Sequence, residues 1–128
     1  MKEGATEIIE LSLSLDQSGL IWHPEIGDEV TERESLDRVS ILVDPQGLTP
    51  EELRDNFIWL PNVEQLVGEI ESREGLIYHV GVGSDLQYEV VVKSKLGGLV
   101  EAKADSIRLA FAKALENLLG NVALGELH

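Results

Sequence analysis

Two runs of alternating apolar residues, Leu76 to Val82 and Leu86 to Val92, are separated by Gly83-Ser84-Asp85. A period of two puts successive side chains on opposite faces of a strand, and a short Gly/Ser/Asp junction reverses the chain. The stretch therefore predicts a β-hairpin and commits this part of the chain to an antiparallel sheet. Leu76, Tyr78, Val80 and Val82 are expected to point one way, and Leu86, Tyr88, Val90 and Val92 to do the same. A phosphate-cradling loop is the competing use of Gly81-Val82-Gly83. Such a loop needs a helix behind its glycines to aim backbone amides at the anion. Here a valine-rich strand follows, and both the third glycine of the dinucleotide fingerprint and the lysine of the P-loop are missing.

Gly97-Gly98 predicts the next reversal, with a third strand from Leu99 to Ala104 burying Val100 and Ala102. Asp105 or Ser106 then caps a helix, ADSIRLAFAKALENLL. Its stripe is Ile107, Ala110, Phe111, Ala114, Leu115 and Leu118, and Gly120-Asn121 ends it. Upstream, Val63, Leu66, Val67 and Ile70 recur at helical spacing after Pro61, and Gly75 stops the run. Thr49, Pro50 and Glu52 form a capping box that opens a short helix from Pro50 to about Asn56.

Toward the N-terminus, Ile9, Leu11, Leu13 and Leu15 alternate with Glu10, Ser12 and Ser14, which predicts a strand. Asp16 to Gly19 reads as a turn, and Leu20 to Trp22 as a short extended piece stopped by Pro24. Glu29 to Asp37 reads as an exposed loop with strand character near Val30. Arg38 to Val43 is a further strand, closed by Asp44-Pro45-Gln46-Gly47. The expected fold is α+β: one domain, 1–128, with an antiparallel sheet packed against helices. It has an acidic β-rich half (1–48) and a half (49–121) in the order helix–strand–strand–strand–helix.

A chain of 128 residues can bury a core without staples. It has no cysteine, which excludes disulfides, thiolate metal sites and thiol catalysis. Residues 1–61 carry 14 acidic and 4 basic side chains, toward a net charge of −14 for the whole chain. Such a surface repels nucleic acid and anionic lipid. The acid-interrupted start MKEGATEIIELSLSL lacks a signal-peptide layout, and no apolar run approaches the ~20 residues that span a bilayer. A soluble cytoplasmic protein is expected.

His23, Glu25, Asp28, Glu29 and Glu32 place one imidazole and four carboxylates within ten positions, the donor types for a hard or borderline divalent cation. Their spacing matches neither an EF-hand nor a helical His-Glu-x-x-His, and the alternative reading is a solvated loop. His79 is expected to pair across strands with Gln87, Glu89 or Lys93. Glu51-Glu52 favour a helix start electrostatically, and Glu69 and Glu71 read as surface charge. Trp22 and Trp59 are expected in the core. No Gly-x-Ser-x-Gly elbow or triad-like set is present, so no catalytic residue is assigned.

The C-terminal order is also that of the double-stranded RNA-binding domain, whose closing helix ADSIRLAFAKALENLL resembles in its small residues. That family opens this helix with adjacent lysines; here Ala104-Asp105-Ser106 stands instead, which repels phosphate. Trp59-Leu60-Pro61 before VEQLVGEIESR, with the late Ala-rich helix entered from a strand, is similar to the phage ABA-sandwich domains. That resemblance implies a small α/β architecture and lends no site residues. The expectation is a small non-enzymatic protein-interaction module of unknown function, without cofactor. It would act on a protein partner or on itself, and on neither nucleic acid nor membrane. A divalent-metal protein or metal-assisted enzyme using His23 to Glu32 is the alternative, and an acidic mimic of nucleic acid the second.

Overall fold

The computed structural model describes the backbone of residues 2–126 and the side chains of residues 6–120. Among them are four helices and two three-stranded antiparallel sheets, an α+β fold. The chain divides into two compact units, residues 1–61 and 62–128.

The first unit opens with helix α1 (Lys2–Gln17), where alternation predicts a strand. The apolar set satisfies both periods, and burial decides between them. Ile8, Ile9, Ser12 and Leu15 are the buried positions, which is the spacing of one helix face. The helix stops at a Schellman motif: Leu20 N–H donates to Leu15 C=O at 3.0 Å and Gly19 N–H to Asp16 C=O at 3.2 Å. Gly19, at φ 101°, supplies the left-handed residue this motif requires.

Leu20 to Trp22 forms no strand. Strand β1 (Glu29–Glu32) pairs with β2 (Ser35–Ile41), so the segment read as a loop is a hairpin joined at Arg33-Glu34. Its few apolar residues are what hide it from periodicity: Val30 and Thr31 are buried, whereas all of β2 is exposed. Helix α2 (Pro50–Asn56) starts at the expected box, with reciprocal Thr49 and Glu52 bonds of 3.1 Å each. Strand β3 (Phe57–Trp59) then pairs with β1 in the order β2-β1-β3. Both α2 and β3 belong to the first unit, residues 1–61. Trp22, Val30, Leu42 and Leu53 form one core cluster, with Trp59, Phe57 and Leu48 packed on it; Ile9, Ile58 and Leu60 form another.

The second unit runs α3 (Val63–Ser72), β4 (Leu76–Val82), β5 (Tyr88–Lys93), β6 (Leu99–Ala104) and α4 (Ile107–Glu126). Asn62, rather than Pro61, caps α3, in a reciprocal box with Gln65. A second Schellman motif ends it, through Gly75 N–H to Ile70 C=O at 3.0 Å and Glu74 N–H to Glu71 C=O at 3.0 Å. At Gly75 the backbone passes so close to the helix that a Cβ would sit 2.8 Å from Ile70 Cγ2 and 3.0 Å from Val92 Cγ1. The sheet order is β4-β5-β6. Helix α4 continues through Gly120-Asn121 instead of stopping there. Its buried stripe includes Leu109, Ala110, Phe111, Ala114, Leu115 and Leu118, and it packs on β5 and β6.

Candidate interaction surface

Strand β4 departs from the face assignment that its alternation predicts. Ile77 lies opposite Val92 and His79 opposite Val91, so Tyr78 is an extra residue, a β-bulge. Beyond the bulge, Val80 and Val82 share a face with Val90 and Tyr88. That face is covered over the inner strand, where Val90 and Val92 are fully buried, and not over β4. Val80 is 44% exposed, Val82 58% and Tyr78 67%, and Leu76, opposite Lys93 before the bulge, lies on the other face at 60%, so the four do not share one face as expected. Alternation reports strand character but not how far a helix layer reaches across a sheet.

The hairpin tip adds to this ridge. Gly83 N–H donates to Gln87 C=O and Leu86 N–H to Gly83 C=O, both at 2.9 Å. The loop is thus Ser84-Asp85-Leu86, a tight turn followed by a left-handed residue. Leu86 holds that left-handed place at φ 64°, where glycine is the low-cost occupant, and its side chain is 82% exposed.

Backbone alternation identifies the open groups. With Gly83 and Gln87 bonded across the turn, Gly81 and His79 face β5, and the N–H and C=O groups of Val80 and Val82 point away from it. Among the described residues, no second strand pairs with β4. The opposite edge of the same sheet is treated differently. Asn117 Nδ2–H donates to Glu101 C=O and Lys113 Nζ–H to Lys103 C=O, each at 3.3 Å, so α4 occupies outward carbonyls of β6. Strand β4 also carries no Lys, Arg, Asp, Glu or Pro, the residues that ordinarily blunt an edge.

The sheet's other face carries a polar chain. Lys103 Nζ lies 3.2 Å from Glu89 and 3.5 Å from Asp85, and His79 Nε2 lies 4.0 Å from Glu89, the cross-strand partner class expected for it. Gly83 leaves room for this arrangement, since a Cβ there would meet Glu89 Oε1 at 2.7 Å. The amide of Gln87 holds the Asp85 carboxyl below its ordinary value; desolvation opposes this, and the Lys103 ammonium adds to the lowering. The hydrogen bond to Glu89, with the charges of Asp85 and Glu89, raises Lys103. All four groups are open to water, and their arrangement is that of a surface ion-pair network.

The acidic segment is dispersed by its own fold. Asp28 is buried, and its Oδ2 accepts from Trp22 Nε1–H at 2.8 Å and from Glu25 N–H at 2.9 Å. Glu29 and Glu32 stand at opposite ends of β1 and, at an odd separation, on opposite faces. His23 and Glu25 are exposed. Among the described residues, no group of three or more His, Asp or Glu is placed to hold a metal ion. Trp22 is core, as expected, and Trp59 packs against the same cluster.

Sequence reading missed a cleft of about 280 Å³ lined by Glu32, Arg33, Glu34, Leu48, Asp55, Asn56 and Phe57. Its one cation is committed internally: Arg33 donates through Nε to Arg54 C=O at 2.8 Å and through both terminal nitrogens to Asp16 at 3.2 Å. No helix is long and apolar enough to cross a membrane among the described residues. No protein-family model, no curated protein and no solved structure matches this chain.

Proposed function

We propose that this chain is a non-enzymatic protein-interaction module that receives a partner strand on the open edge of β4. One observation carries the reading: side chains of α4 engage outward carbonyls of β6, whereas among the described residues the β4 edge has no such cover, carries no formal charge and is bordered by exposed Tyr78, Val80, Val82 and Leu86. Main-chain bonds to an added strand supply affinity, and the flanking side chains supply selectivity. Leu86 supports the same reading. A leucine in the left-handed region costs about 1–2 kcal/mol, and at 82% exposure it recovers little through packing. Pairing in trans includes pairing between two copies of this chain.

A photo-reactive residue in place of Val82 tests this in native lysate. Adducts to a second polypeptide are expected from position 82 and not from a control at Glu51, which is exposed on α2. Equal labelling at both positions, or none at either, defeats the proposal. Leu86→Gly is expected to raise stability by about 1 kcal/mol while reducing adduct yield; chemical denaturation and the same photo-labelling measure the two effects.

A further inference from the structure

Resting on the interaction reading above, we infer that the strand received by β4 is β4 of a second copy. The twofold-related antiparallel pairing would form one continuous sheet from the three strands of each protomer.

Charge selects the occupant. The chain carries −14 overall, yet Gly75 to Gly83 contains no formally charged side chain. A strand charged with either sign finds no counter-charge on this edge itself, and the long-range repulsion between two copies at −14 opposes any self-pairing and is weakened by salt. An uncharged strand suits the edge, and β4 is such a strand. The exposed strand β2 is not equivalent. Twofold pairing about its centre sets Asp37 against Asp37 or Arg38 against Arg38 of the other copy, and like charges directly opposite are destabilising.

Self-complementarity selects the register. The outward-facing groups are those of Val80 and Val82, so a twofold axis at Gly81 pairs each Val80 with Val82 of the other copy. Four main-chain hydrogen bonds then form. On one face the four exposed valines meet as two cross-strand pairs. On the other face Gly81 meets Gly81, and each His79 meets Gly83 of the other copy. The His79 ring already lies over Gly81, within 3.0 Å of where a Cβ would be, so glycines opposite it leave the space it needs. The bulge at Tyr78 lies outside this five-residue match, His79 to Gly83.

Light scattering on the purified full chain, from low micromolar to millimolar concentration, reads the result. The expected outcome is a rise from 14.1 kDa to twice that mass, lost in both Val80→Lys and Val82→Lys. Both sites are at least 44% exposed, and circular dichroism confirms that each variant keeps its fold. The chain has no cysteine, so a Val80→Cys/Val82→Cys double variant reports register: oxidation is expected to join two copies, because bonded pairs hold Cα atoms about 5.5 Å apart. A chain that stays at 14.1 kDa at millimolar concentration overturns self-pairing. Photo-adducts to a different protein in that case leave the interaction reading standing. A dimer that persists in both lysine variants overturns the β4 interface.

Discussion

Asp28 spends its carboxylate inside the protein, on the indole of Trp22 and the amide of Glu25. Removing it leaves a buried N–H without its acceptor, which costs about 1–3 kcal/mol. Asp28→Ala is therefore expected to lower the urea midpoint by an amount of that order, while Glu25→Ala, at an exposed side chain, leaves it nearly unchanged. Tryptophan fluorescence follows both, since Trp22 and Trp59 lie in residues 1–61. Equal effects would mean that the indole bond holds nothing in place. At this scale the sequence was legible where the interaction is local. Thr49 and Glu52 announce their reciprocal bonds through a fixed spacing of three, and the box is present. Asp28 gives no such signal, because a carboxylate that satisfies an indole is spelled like one that faces water.

Between elements, the informative contrast is α1 against the β4–β5 hairpin. In TEIIELSLSL the apolar residues fit both a strand and a helix, and adjacent Ile8 and Ile9, both buried, favour the helix once tertiary packing is present. The hairpin is legible in the sequence because its turn chemistry and its period agree. Its exposure was not legible, since neither the bulge at Tyr78 nor the reach of α4 is written in alternation. The ionic chain on that hairpin has a pH signature. Asp85 is lowered in the folded state, so its contribution is present above the unfolded value near 3.9 and is lost as pH falls through the lower folded one. Lys103 is raised, so its contribution is present below about 10.4 and is lost as pH rises through the higher folded value. The thermal-midpoint difference between the native chain and Lys103→Met is expected to hold steady between those limits and shrink outside them. A difference independent of pH would show that Lys103 acts through its aliphatic stem alone.

For the whole molecule, α+β class and the C-terminal element order were readable from periodicity, and the second sheet was not. It depends on β3, a three-residue strand whose pairing with β1 is non-local. Net charge was legible in full and acts at long range. Two copies at −14 repel one another, so added salt is expected to strengthen self-pairing by screening. Sedimentation between ~10 mM and ~0.3 M salt, where the screening length falls several-fold, measures the sign. Capture of a basic partner by an acidic mimic changes with salt in the opposite direction. The side chains that α4 lays along β6 bear on what happens after two protomers meet. Once the β4 strands are joined, both outer margins of the merged sheet end in carbonyls already engaged by Asn117 and Lys113. A strand added at either margin would have to displace those two bonds first, which disfavours growth toward a fibril relative to stopping at the pair.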